Sequence, residues 1–230
     1  KVIPANGWTA TPPKAMKVKT FPVREEYGYI WLWWGDLKDE YPSLPWFEDL
    51  DNSFSYAGYQ AHWPVHYSRA VENQLDVIHL PFVHATTIGR GNKTIVDGPL
   101  VRENNNEMDI WVYNRRENGK SARKTTELPA PSRPPFLRFI FPNNWMNRIS
   151  DDYRITVSFV PVDDHNTLFY LRNYMRKLAV PGLAWFAAWA SIPSARVILN
   201  QDRRIVLTQI PDRSDLFMDE KPIPQDGPII

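Results

Sequence analysis

The chain contains no cysteine. Disulfides, thiolate-held metals and cysteine nucleophiles are therefore excluded within it, and the composition is compatible with a reducing compartment. Charge imbalance is absent too: 27 basic against 26 acidic residues leave a formal net charge of +1. That balance gives no whole-molecule attraction to nucleic acid or to an anionic membrane. Long apolar runs are also missing. A membrane-spanning helix needs about 20 such residues. The most apolar window, Leu178 to Ile192, is shorter and is interrupted by Pro181 and Gly182. Lys1-Val2-Ile3-Pro4-Ala5 lacks the layout of a secretory signal. The expectation is a soluble, cytoplasmic protein with no nucleic-acid and no membrane partner.

What is present is enough hydrophobic sequence, 43% of 230 residues, to bury one large core. Proline is abundant, with 21 residues against an average usage of about 5%, which points to many short elements joined by fixed turns. Ten tryptophans fit either an aromatic core or an aromatic-lined pocket.

The pattern along the chain predicts the elements. Lys1 to Lys14 reads as loop. Met16 to Val23 and Tyr29 to Trp34 read as two strands joined through Arg24 to Gly28, and Asp36 to Leu50 as a polar, proline-broken linker. Phe54 to Trp63 is a strand. Pro64 then opens a helix, where its missing N–H is not needed, running to about Ile78 and stopped by Pro81. Six more strands are expected at Thr94–Arg102, Met108–Arg115, Pro135–Phe141, Trp145–Ile149, Tyr153–Val160 and Thr167–Met175, with turns at Asn118-Gly119 and Asp163 to Asn166. Two helices follow, Leu183–Ala190 and Ala195–Gln209. Helix, strand run, then helices implies an α+β fold with helices packed on an antiparallel sheet.

The chemistry gathers in Glu72 to His84. His79 and His84 lie five apart, which on one continuous helix would separate them by roughly 140°. Pro81, by ending the helix, lets the chain turn and the two rings converge. Asp76 stands one turn before His79 on the same helical face, placed to accept an imidazole N–H. In the late helix Ile198, Leu199, Ile205 and Val206 form an apolar stripe, and Asp202 falls within it. A carboxylate on a core-facing stripe is costly unless paired or metal-bound. It is either a partner of a buried arginine such as Arg69 or the third ligand to a metal. Two imidazoles and one carboxylate leave coordination positions open, which suits non-haem Fe(II) and also zinc. His66 is the competing ligand candidate; His62 and His165 lack a comparable setting.

These residues also carry a resemblance. Glu72-Asn73-x-x-Asp76-x-x-His79-x-x-x-x-His84, with Asn200-Gln201-Asp202-Arg203-Arg204 downstream, resembles the catalytic domain of Rieske non-haem iron oxygenases. Leu80 to Gly89 is most similar to the vanillate O-demethylase branch. Lys1 to Ala5, Phe21-Pro22-Val23 and Tyr27 to Trp31 resemble the closing strands of that family's Rieske domain. The resemblance implies a remnant of a Rieske domain at 1–36 and a mononuclear iron domain at 37–230, with a helix-grip (START-like) sheet. It implies Fe(II) held by His79, His84 and Asp202, with Asn73 behind the ligands and Asp76 as the catalytic link to a Rieske cluster of a neighbouring subunit. It further implies a homotrimer fed with electrons from NAD(P)H through a reductase or ferredoxin. Such an enzyme uses O2 to hydroxylate, or to O- or N-demethylate, a small aromatic substrate. The family's [2Fe–2S] cluster needs Cys-x-His and Cys-x-x-His, and this chain has no cysteine. The expectation is therefore a part of a longer oxygenase subunit.

Two other functions fit the same residues: a zinc-dependent hydrolase using the triad, and a non-catalytic helix-grip protein binding an apolar ligand. Inward positions of Met108–Tyr113, Trp145–Ile149 and Phe169–Tyr174 are expected to face the metal helix, as pocket wall or as ordinary core.

Overall fold

The computed structural model describes residues 18–215 and 220–229, which form parts of two compact units, Lys1–Leu44 and Pro45–Ile230. The predicted loop at the start of the chain lies outside the described residues.

In the first unit β1 (Val23–Glu26) and β2 (Tyr29–Leu32) form an antiparallel hairpin. The joint is only Tyr27-Gly28, both with positive φ, 55° and 69°. That is the pair of conformations a tight two-residue hairpin requires. The first strand thus lies later than the expected Met16 to Val23, because Arg24 to Glu26 pair with Ile30, Trp31 and Tyr29 instead of looping out.

The second unit is built on one seven-stranded antiparallel sheet in the order β3-β9-β8-β7-β6-β5-β4. Its strands are β3 (Phe54–Trp63), β4 (Ile95–Asn104), β5 (Glu107–Arg115), β6 (Leu137–Ile140), β7 (Asn144–Arg148), β8 (Tyr153–Asp163) and β9 (Asn166–Arg176). Every strand expected from alternation is present. Among the described residues four α-helices accompany the sheet: α1 (Tyr67–Leu75), α2 (Leu80–Val83), α3 (Leu183–Ala190) and α4 (Ile192–Val206). The architecture is the expected α+β sheet packed against few helices. The order places β3, the first of these seven strands in the chain, beside β9, the last of them, so α1 and α2 leave one edge and α4 returns against them. Gly58 permits that β3–β9 pairing, since a Cβ there would lie 2.3 Å from the Leu171 carbonyl oxygen.

The core fills the space between the sheet and the helical layer. Trp63, Ile110, Phe139, Phe159, Phe169 and Leu199 belong to one buried cluster. The tryptophans divide between roles: Trp46, Trp63, Trp111 and Trp145 are buried, while Trp34, Trp185 and Trp189 are exposed. The expected linker Asp36 to Leu50 fails in its second half. Trp46, Phe47 and Leu50 are buried, and Asn144 Nδ2 donates to the Pro45 carbonyl at 3.0 Å, so this stretch belongs to the core.

Candidate metal centre

The helix that begins the site starts at His66, whose Nδ1 accepts from the Ser68 N–H at 3.2 Å as an N-cap. His66 is thus a capping residue, which removes it as a rival ligand. α1 ends at Leu75, earlier than Ile78. Asp76 leaves helical geometry (φ −63°, ψ 122°), and its Oδ1 accepts the Ile78 N–H at 2.8 Å. This local carboxylate–backbone bond competes with the helix and breaks it. Pro81 is not the terminator. It sits in the first turn of α2, a position where proline is tolerated.

The two histidines flank that single turn, His79 as N-cap and His84 as C-cap. Their rings approach to 5.2 Å between centroids at 65°. Behind α2 the chain folds back, with the Thr87 and Gly89 N–H groups donating to the His84 carbonyl at 2.8 and 2.9 Å. A Cβ on Gly89 would lie 2.1 Å from the Leu80 carbonyl oxygen, so only glycine fits this fold-back.

α4 supplies the third group. Its buried stripe is Ala195, Leu199, Asp202 and Val206. Ile205, expected on the stripe, is 48% exposed, because the helix turns Leu199 and Val206 inward and leaves Ile205 at the flank. The helix also starts at Ile192, before the expected Ala195, with proline in its first turn. Asp202 Oδ1 stands 2.9 Å from His84 Nε2 and 3.4 Å from His79 Nε2. One ligand atom from each of the three residues lies within 4.8 Å of the others.

The alternative partner for Asp202 is taken elsewhere: Arg69 pairs with Glu72 at 2.8 Å and with Glu220 at 2.7 Å. Asp202 Oδ1 is buried without an aligned hydrogen bond despite its two close nitrogens. Gln74 Nε2 lies 3.5 Å from the other oxygen, Oδ2. An orphaned carboxylate oxygen beside two imidazole Nε2 atoms is what a shared cation would satisfy. The electrostatics of the metal-free cluster favour positive charge. Burial pushes the His79 imidazole down, but the Asp202 and Asp76 carboxylates outweigh it and hold it up at about 9. Burial likewise raises Asp202, yet His79 and His84 keep it below the ordinary carboxylate value.

The outer nitrogens of both rings face acceptors. His84 Nδ1 lies 2.8 Å from Gln201 Oε1, which also accepts from Thr87 Oγ1 at 2.9 Å. With the threonine hydroxyl donating, His84 Nδ1–H donates as well, and its Nε2 lone pair is left for the centre. Asp76 Oδ2 stands 3.3 Å from His79 Nδ1, close enough for an ion pair but without the alignment of the expected hydrogen bond. Asn73 reaches the centre only indirectly: its Oδ1 accepts from Gln74 Nε2 at 2.9 Å. Gln201, Thr87 and Gln74 carry no sequence signal beyond adjacency to the ligands and were not anticipated. His62 bonds Asn166 at 2.8 Å, and His165 is exposed.

The triad opens on a cavity of about 120 Å³. Of the expected wall positions, Val112, Trp145, Asn147, Ile149 and Leu171 line it, whereas Met108, Ile110 and Phe169 are core. Phe136, Leu137, Ile155 and Val157 also form the wall.

Residues 63–225 match the family model of the vanillate O-demethylase oxygenase C-terminal domain. The chain belongs to this family. Among its relatives is the vanillate O-demethylase oxygenase subunit of Pseudomonas sp. (strain ATCC 19151), 34% identical over 85 residues, 36% of this chain and 25% of that protein. Chlorophyllide a oxygenase of Arabidopsis thaliana is 33% identical over 76 residues, 33% of this chain and 14% of that one. A solved structure of the Pseudomonas putida CBB5 NdmA QL mutant with caffeine superposes with a TM-score of 0.64 at 20% identity, covering 96% of this chain and 61% of that chain. Dicamba monooxygenase bound to dicamba gives 0.57 at 16%, covering 84% and 60%. These likenesses show a shared fold. The chain spans a quarter of the vanillate O-demethylase relative's length and about 60% of the solved chains. A catalytic C-terminal domain of the Rieske oxygenase class is thus its family assignment. No helix among the described residues is long and apolar enough to cross a membrane.

Proposed function

We propose that the chain is the mononuclear iron domain of a Rieske-type oxygenase acting on a small, methylated or oxidisable aromatic compound. The observation that carries this reading is the cluster of half-buried His79 with buried His84 and Asp202, opening on an apolar cavity. Three protein ligands leave positions open, a set that suits Fe(II). Iron bound there would supply the activation of O2 for hydroxylation, with formaldehyde released when the oxidised carbon is an O- or N-methyl group.

The remaining roles belong to the chain. His79 and His84 offer Nε2 lone pairs, while Asp76 and Gln201 fix the ring orientations. Asp202 supplies negative charge from the floor of α4. The aliphatic and aromatic wall excludes water and holds a flat substrate. In this reading residues 1–36 are the end of a Rieske domain and 37–230 the iron domain. The [2Fe–2S] cluster lies outside this cysteine-free sequence, in a neighbouring subunit of a homotrimer, and Asp76 links it to His79. NAD(P)H supplies electrons through a reductase, and the assembly works in the cytoplasm. The vanillate O-demethylase, NdmA and dicamba monooxygenase names support a demethylase or monooxygenase assignment.

Metal analysis of protein purified from iron-replete cells tests this. The expected result is one iron per chain, lost in His84→Ala with the near-ultraviolet circular dichroism retained. Stoichiometric zinc without iron over repeated preparations contradicts it and favours a hydrolase.

A further inference from the structure

The cavity beside the triad has an apolar mouth. Of the described residues that line it, all but two are buried or partly buried; Ile88 and Ile149 are 53% and 47% exposed. A side chain that faces both the cavity and solvent marks where the two meet. The pair comes from distant parts of the chain, and each member is set in place by the backbone. Ile88 lies in the fold-back behind α2, between Thr87 and Gly89, whose N–H groups both donate to the His84 carbonyl. Ile149 follows β7. On one side of it the Arg148 N–H donates to the Phe136 carbonyl at 2.9 Å, and on the other the Ser150 N–H donates to the Tyr153 carbonyl at 3.1 Å. The size of the space fits a small molecule: a dry cavity of about 150 Å³ accepts a benzene ring. This one, at about 120 Å³ and open at its mouth, suits a single ring with short substituents.

Charge narrows the substituents. Among the described residues no lysine or arginine lines the cavity; the ionisable ones there are Asp76, His79, His84 and Asp202. The cations next in sequence to the mouth are engaged elsewhere. Arg148 pairs with Asp151 at 2.7 Å and with Asp49 at 3.5 Å, and Arg90 Nε donates to the Thr86 carbonyl at 2.5 Å. A divalent cation on the triad offsets the two carboxylates and no more. An aromatic carboxylate would therefore shed water in passing two isoleucines and meet no counter-charge inside, at a large desolvation cost. An alkyl or ether substituent has no charge to desolvate and gains apolar burial.

We propose that Ile88 and Ile149 form the entrance of this cavity and determine its specificity, admitting an uncharged single-ring aromatic and rejecting an aromatic carboxylate. The proposal rests on the cavity being the substrate chamber of the oxygenase described above. It adds a substrate class and the two residues that set it.

Calorimetric titration of protein from iron-replete cells, at neutral pH, with 3-methoxytoluene and 3-methoxybenzoate tests it. The probes share a ring and a methoxy group, and only the benzoate is charged. The methoxytoluene binds at least about tenfold more tightly than the benzoate. Ile149→Lys and Ile88→Lys each bring an ammonium to the mouth. Each strengthens the benzoate by about tenfold and leaves the methoxytoluene within about twofold. Half-exposed positions accept lysine, whose stem covers apolar surface while its head reaches water. Equal or tighter binding of the benzoate to the wild type overturns the proposal, as does a benzoate affinity that neither lysine raises. The wild-type comparison stands even where a variant fails to fold. Iron content of the same samples separates the two readings. A protein that holds iron but prefers the benzoate, or binds neither probe, refutes the entrance alone. One that prefers the methoxytoluene and responds to the lysines but holds no iron refutes the oxygenase and leaves the entrance standing.

Discussion

Gln201 shows how a single side chain sets a candidate metal ligand. Its Oε1 accepts from Thr87 Oγ1 and faces His84 Nδ1, so the imidazole is held in one tautomer with Nε2 toward Asp202. Gln201→Leu keeps the volume but releases the ring, and should weaken metal affinity by about 10- to 100-fold, read by competition with a chelating dye. Asp76→Asn should retain iron, because an amide still faces His79, yet stop turnover in the intact oxygenase; normal turnover would remove Asp76 from its bridging role. Asp202 was legible because a carboxylate interrupting an apolar 3.6-residue stripe has few explanations. Gln201 was not. A polar residue on the flank of an amphipathic helix looks the same whether it meets water or a histidine.

At the level of elements, His79 and His84 come together across α2 for a different reason than the sequence pattern implies. Pro81 reads as the helix breaker in the sequence, whereas in the structure Asp76 breaks α1 through its bond to the Ile78 N–H and Pro81 starts α2. Proline at a helix start and proline past a helix end differ only in what precedes them, and the Asp76 turn gives no periodicity to read. The fold-back behind α2 depends on Gly89. Gly89→Ala would place its new Cβ 2.1 Å from the Leu80 oxygen, forcing the backbone to shift, and should cost about 1–3 kcal/mol, with metal affinity falling in parallel because His84 moves. Thermal unfolding and metal titration of the same preparation check both. On β4 the pairing shifts between Asp97 and Leu100, and Asp97 is buried there against Arg115 and Arg123 at 3.1 and 3.0 Å. Burial raises its carboxyl, but the Arg123 N–H and the two guanidinium groups outweigh it and keep it below 3.8. A carboxylate with a depressed folded value stabilises the fold above its unfolded value and loses that contribution as pH falls through the folded one. Asp97→Asn should thus cost about 2 kcal/mol at neutral pH, between the values for buried and exposed pairs. The difference from wild type should shrink as the pH drops below 3.8, as urea melts across that range would show.

Across the whole molecule, the sheet was the most legible part, since seven alternating runs announce seven strands. Their order was not, because nothing local states that β3 pairs with β9 rather than with β4. That pairing creates the chamber: it brings the helices on either side of the strand run, α1 and α4, against each other over one face. The buried Trp46, Phe47 and Leu50 were missed for the same reason, as isolated apolar residues among prolines and acids have no period. A centre assembled from helices this far apart in sequence links metal binding to folding. Saturating metal at about 100 times its dissociation constant adds about 2.7 kcal/mol of stability. For a chain of this size chelation should then lower Tm by about 5–10 °C.

The central claim is that His79, His84 and Asp202 together hold one Fe(II) with positions left open. The most direct measurement is electron paramagnetic resonance of the anaerobic Fe(II)-loaded protein exposed to nitric oxide, in wild type and in Asp202→Ala. The account predicts a single high-spin ferrous–nitrosyl signal at one spin per chain in wild type and its loss in the variant. An unchanged signal in Asp202→Ala, or none in wild type carrying stoichiometric iron, would contradict it.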